Sequence, residues 1–231
     1  MTRTLVLLAV AFALIACGPP NAPAPARRPV TAPVHVNASA QDCFVAAAET
    51  FEGLTEGAAT APVADLASRA ASAAVQARSC QPSLGARHSA TLDNVLGRIG
   101  QFEMTHDRSA LALAAVEGYR TFVNAQSRPP GSIPIEVALL DYAGFRYQAG
   151  AHSAPPLWND MRQSLDIADA EWGAVRARVA DERLKTIFSA DLADMHSALR
   201  ASDQTSALRA VRRELDHVDR LEDYFSRPSR G

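Results

Sequence analysis

From Ser39 onward, apolar positions recur three and four residues apart, the period of a helix with one face turned inward. Phe44, Ala48 and Phe51 share such a face, and Gly53 and Gly57 are expected to break the first helix. Thr60 and Pro62 mark a second start, followed by a narrow small-residue stripe of Val63, Leu66, Ala70, Ala74 and Ala77 that ends at Cys80-Gln81-Pro82. A third helix runs from about Ser89 through Leu92, Val95, Leu96, Ile99 and Phe102. Asp107 or Ser109 caps a fourth, with Leu111, Ala115, Tyr119 and Phe122 inward. Arg128-Pro129-Pro130-Gly131 stops it, and Pro134 sits in the first turn of a fifth carrying Val137, Leu140 and Phe145. Pro155 and Pro156 close the next loop.

The most regular stretch follows. Trp158, Met161, Leu165, Ala168, Trp172, Val175 and Val179 are spaced by 3, 4, 3, 4, 3 and 4 residues, a heptad-like seam for packing on neighbouring helices. The phase then slips, because Leu184, Phe188, Leu192, Met195 and Leu199 form the next stripe, which predicts a kink or break near Asp181. A last helix carries Leu208, Val211, Leu215, Val218, Leu221 and Phe225 before Pro228. The alternation expected of strands is missing. The fold expected is therefore all-α: a single bundle of six to eight helices over residues 39–227, with a helical-hairpin array as the alternative and residues 228–231 as a tail.

The first 38 residues follow another logic. Arg3 precedes an apolar run of eleven residues, Leu5 to Ile15, too short to span a bilayer, which takes about 20. The run ends in Leu14-Ile15-Ala16-Cys17, which resembles the lipobox of bacterial lipoprotein precursors. That resemblance covers residues 1–17 only. It implies a signal peptide over residues 1–16 and a Cys17 that is acylated and becomes the mature N-terminus, and so a chain held to a membrane by lipid. It also implies a cell-envelope location facing the periplasm, where Gly18 in place of Asp favours the outer membrane over the inner. Six of the fourteen prolines fall between Pro19 and Pro33, so residues 17–38 are expected to form an extended tether. At about 3.1 Å per residue it reaches roughly 50–60 Å. Val34 and Val36 alternate and leave room for a short strand.

Charge narrows the partners. The 231 residues hold 23 basic and 25 acidic groups; losing Arg3 with the signal leaves 22 against 25, a net of −3. With no basic excess to neutralise phosphates and only 6% aromatics to stack on bases, nucleic acid is not an expected partner. The membrane, through Cys17, and a protein partner in the envelope are.

In an oxidising compartment Cys43 and Cys80 are expected to pair. Counted outward from the turn near residues 58–61, they lie about 15 and 19 residues away on adjacent antiparallel helices, an axial mismatch of about 6 Å at 1.5 Å per residue.

The sharpest candidate for chemistry is a pair of Glu-x-x-His motifs, Glu103/His106 and Glu214/His217. At this spacing a carboxylate and an imidazole share a helix face. Two such motifs plus a Glu from each of two more helices (here Glu49 or Glu52, and Glu136 or Glu171) would make a di-iron or di-manganese centre. Met104, His106, Met161, Met195 and His196 are the copper alternative, since copper(I) favours thioethers. Against both, Met161 and Met195 fall in the core stripes, and Glu214 and His217 flank theirs. Sequences typical of nucleophilic catalysis, GxSxG and SxxK, do not occur. Asp141, Tyr142 and Arg146 share the apolar fifth helix and predict a buried polar network there. The Trp158/Trp172 stripe is read as core, with an apolar ligand pocket or partner groove as its alternative. Arg176, Arg178 and Arg183 beside Asp169, Glu171 and Glu182 read as a solvated face. The expectation is a lipid-anchored envelope protein without enzymatic activity, an interaction or small-ligand-binding module needing no cofactor. A metal-handling bundle is the alternative.

Overall fold

The computed structural model describes residues 38–129 and 132–227. The signal, lipobox, tether, possible strand and tail expected from the sequence lie outside these residues. Eight α-helices account for almost all of what is described: α1 Ala38–Ala58, α2 Val63–Cys80, α3 Ala86–Thr105, α4 Arg108–Ala125, α5 Ile135–His152, α6 Trp158–Val175, α7 Glu182–Ala201 and α8 Gln204–Ser226. Among the described residues there is no strand. The fold is an all-α helical bundle.

Most boundaries follow from local chemistry. Asp107 Oδ1 accepts from the Ala110 N–H at 3.0 Å, Asp181 Oδ1 from Arg183 and Leu184 at 2.9 and 3.0 Å, and Asp203 Oδ1 from Ser206 at 3.1 Å, so α4, α7 and α8 each start on an aspartate cap. His106 (φ 50°) and Ser202 (φ 51°) end the preceding helices in the left-handed conformation, which turns the chain within two residues. The expected break near Asp181 is present. A single 3₁₀ turn, Arg176–Arg178, follows α6, and the Asp181 side chain captures the N–H groups that a continuous helix would have bonded internally. Two boundaries differ from expectation. α3 begins at Ala86, earlier than Ser89. α1 runs through Gly53 and Gly57 to Ala58. A helical glycine costs only about 1 kcal/mol relative to Ala, less than is gained by burying Phe51, Leu54 and Ala58 around it. Gly57 also lets Arg69 and Leu66 of α2 approach, and Arg69 donates to the Gly53 carbonyl at 3.1 Å.

The helices pack as two rings of four. α1 packs on α2 and α4, and α3 on α2 and α4; α5 packs on α6 and α8, and α7 on α6 and α8; α4 against α5 joins the rings. Each ring has its own core, one around Phe44, Phe51, Phe102 and Phe122, the other around Leu165, Trp172, Phe188 and Met195. The shared wall is α5. Ala138, Tyr142 and Phe145 face the first core, while Val137, Leu140, Tyr147 and Ala151 face the second.

Cross-links fix the relative ends. Cys43 near the start of α1 is disulfide-bonded to Cys80 at the end of α2, as the helix-length argument predicts. Gln41 on α1 accepts from the Ser127 N–H just past α4 at 2.7 Å. Arg178 after α6 pairs with Glu136 at the start of α5 at 3.7 Å, and the Ala180 N–H before α7 donates to the Tyr224 hydroxyl near the end of α8 at 2.8 Å. So α1, from its first residues, starts at the same end as α5 and α7, and the opposite end holds the start of α6 and the end of α5. Among the described residues no helix is long and apolar enough to cross a membrane.

Candidate functional site

A cleft of about 620 Å³ opens at the junction of the two rings, toward the end opposite Ala38. It is within the size range of small-molecule sites. α3 supplies Arg98, α4 Leu113 and Glu117, α5 Arg146, and the start of α6 Pro156, Leu157, Trp158, Asn159 and Asp160. Trp158 packs at the edge of the second core and also lines the cleft, so both readings of its stripe meet in this residue. It is half-buried and stands in the cleft wall beside the exposed Leu157, whereas Trp172 is buried against Phe188 and donates to Ser189 at 3.0 Å. The sequence placed both tryptophans in one stripe; helix start and loop geometry separate them.

The floor of the cleft is a closed ion network. Arg146 donates from Nη1 to Glu117 Oε1 at 2.5 Å and to the Tyr142 hydroxyl at 2.7 Å, and it grips Asp160 from Nε at 3.1 Å and from Nη2 at 2.5 Å. Tyr142 donates to Glu117 at 2.9 Å and accepts from Arg120 at 3.1 Å, whose guanidinium also lies over the Tyr142 ring at 4.7 Å. The bonds to Asp160 raise the Arg146 pKa further, so this cation is fixed. Burial and the nearby Glu117 raise the Tyr142 pKa. The expected network on α5 exists for Tyr142 and Arg146. Its other members, Glu117 and Asp160, come from α4 and α6, and nothing local in the sequence marks them. Arg98, the other arginine lining the cleft, has no ion-pair partner among the described residues.

Asp141 belongs to a separate acidic seam between α1, α5 and α8. Its carboxylate is buried, with the Tyr119 hydroxyl at 3.5 Å, and burial together with Glu222 and Glu52 pushes its pKa well up. Burial, Glu222, Glu56, Asp219 and Glu49 raise Glu52 to about 7. Burial and Asp219 raise Glu222 against the opposing Arg128. For each acid the unfolded chain loses its proton first as pH rises, so stability present below about 4.5 is lost on the way up, for Glu52 by about pH 7. The acids are therefore expected to lower the melting temperature between pH 5 and pH 8 at constant ionic strength, against the smaller opposite slope of His152, whose pKa burial lowers, and Glu52→Gln is expected to remove part of that fall. A melting temperature that rises over this interval, or a slope indifferent to Glu52→Gln, contradicts the assignment.

The structure does not gather the Glu-x-x-His residues. Glu103 and His106 are exposed at the end of α3. Glu214 is wholly buried on α8, in the space left by Gly144 of α5, with neither carboxylate oxygen hydrogen-bonded; burial and Asp191 raise its pKa well above the ordinary value. His217 is held by Asp191 at 2.5 Å, and Asp191 in turn by Arg213 at 3.0 Å. Helix α3 packs on α2 and α4, α8 on α5 and α7. Among the described residues no three His, Cys, Asp or Glu side chains are grouped to hold a metal ion. The copper set is scattered too: Met104 is 80% exposed, Met161 and Met195 are buried core, and His196 pairs with Asp169 at 2.8 Å.

Comparison with known protein families, with curated proteins and with solved structures gives no match to this chain.

Proposed function

We propose that this chain is a lipid-anchored protein of the bacterial cell envelope whose helical body is a non-enzymatic small-ligand-binding module. The observation that supports binding is the cleft at the ring junction. It combines an apolar wall of Leu113, Pro156, Leu157 and Trp158 with an ionic floor in which Arg146 engages both Glu117 and Asp160. A floor of this kind orients a ligand without offering an uncommitted base or nucleophile. The anchor reading rests on Leu14-Ile15-Ala16-Cys17 and on Gly18, which favours the outer membrane.

Two results test this. In a bacterium fed labelled palmitate, the wild-type chain should carry label and sediment with membranes, and Cys17→Ser should do neither. An apolar fluorophore, phenylnaphthylamine, should bind the Cys17→Ser chain saturably, and Leu113→Arg, which fills the cleft, should abolish that binding. Label on Cys17→Ser overturns the anchor. Binding that is absent, or indifferent to Leu113→Arg, overturns the cleft.

A further inference from the structure

The cleft walls differ in what they leave unsatisfied. Glu117 and Asp160 line it, but Arg146 engages both, through hydrogen bonds of 2.5–3.1 Å, so neither is free to receive a cation. Behind them Arg120 adds a second guanidinium on Tyr142. Arg98 is the exception. It is half-buried at the cleft wall and has no ion-pair partner among the described residues. The lining thus holds two guanidiniums, Arg98 and Arg146, and two carboxylates, Glu117 and Asp160, and because Arg146 takes both carboxylates, Arg98 is the charge left facing the open volume. A half-buried arginine is screened less than a surface one and presents a planar fork of donors that fits a carboxylate, sulfonate or phosphate. The same cleft is lined by apolar side chains: Leu113, Pro156, Leu157 and the Trp158 ring.

We infer that the cleft takes a small organic anion with an apolar or aromatic body, the anionic head on the Arg98 guanidinium and the body against Trp158, Leu157 and Leu113. This rests on the cleft being a binding site and adds the class of ligand. A cationic ligand finds no uncommitted carboxylate there. A fully neutral one leaves Arg98 desolvated and unpaired, which costs affinity.

Two fluorophores that share one body separate the class of ligand from the existence of the site. Anilinonaphthalenesulfonate and phenylnaphthylamine differ by the sulfonate. Titrated into the Cys17→Ser chain, the sulfonate should bind about tenfold more tightly than the neutral probe, the yield of one charge-assisted contact. Arg98→Gln should bring the ratio close to one, the sulfonate losing affinity and the neutral probe gaining some, with the far-ultraviolet circular dichroism unchanged. Arg98→Lys should keep part of the preference, and the preference should shrink in high salt. Equal binding of both probes that is lost in Leu113→Arg leaves the cleft standing and overturns the anion. So does a sulfonate preference that survives Arg98→Gln. Absence of binding by either probe overturns both readings.

Discussion

Replacing Cys43 and Cys80 together by alanine should lower the unfolding free energy by about 3–4 kcal/mol. The bond closes a loop of 37 residues, so its loss returns that loop's closure entropy to the unfolded chain. The site gives the unfolded chain's gain little compensation in the folded state. Cys80 is buried at the end of α2 among first-core residues, and Cys43 packs against the same core from α1, so truncation to alanine also removes packing. For a body of this size the shift corresponds to roughly 10 °C in melting temperature. Denaturant titration of the oxidised wild type, the reduced wild type and the double alanine variant checks this. The last two should coincide within about 1 kcal/mol, because both lack the same cross-link. A double variant as stable as the oxidised protein would show that the ring of α1–α4 does not depend on this tie.

Gly118→Ala should destabilise the fold by about 2 kcal/mol, although alanine is the better helix former. Gly118 lies inside α4 where α1 crosses it. A Cβ added there would stand 2.5, 2.6 and 2.8 Å from three ring atoms of Phe51. Phe51 is wholly buried and stacked on Phe122 at 5.9 Å between centroids, with Phe44 on the same Phe122 at 6.0 Å, so its ring has no free direction in which to retreat. The helix-propensity gain of about 0.5–1 kcal/mol offsets only part of an overpacking cost of about 1–3 kcal/mol or more. The mechanism is checked by a double-mutant cycle with Phe51→Leu. In that background Gly118→Ala should cost less, since the smaller side chain vacates the contact. Additive effects of the two substitutions, or a Gly118→Ala variant more stable than wild type, would show that α1 and α4 can move apart.

The acidic seam and the cleft belong to the same architecture. Both lie where helices of different rings meet, because polar side chains that have no place inside either core collect there. The buried Glu214, held in the space of Gly144 with no hydrogen-bond partner among the described residues, marks how tightly α8 is set against α5. The Arg146 network does the same work across α4, α5 and α6, but with both carboxylates held by the guanidinium.

Much of this was present in the sequence. The period of three and four residues identified the helices, Asp107 was one of two caps offered for α4, and the break before α7 showed as a phase slip; the caps at Asp181 and Asp203 came from the structure. The Cys43–Cys80 pairing followed from helix length. These are local properties, set by backbone hydrogen bonding and by the distance between neighbours along one chain. α5 shows where such reasoning stops. A helix packed on both sides has no single apolar face, so the sequence marked Val137, Leu140 and Phe145 but not the buried Tyr147, whose hydroxyl donates to the Met195 carbonyl at 3.1 Å. The same limit produced the Glu-x-x-His candidates, alike in spacing but set by the fold on helices of different rings, one pair exposed and the other half in the core. Sequence by itself determined the helices and the covalent tie. Only the tertiary structure decided that eight helices close into two rings of four, that Trp158 at the edge of the second core also lines a cleft, and that Arg98 faces that cleft with no ion-pair partner among the described residues. Each of these depends on side chains from helices far apart in the chain, whose proximity is fixed by packing and not by any local pattern.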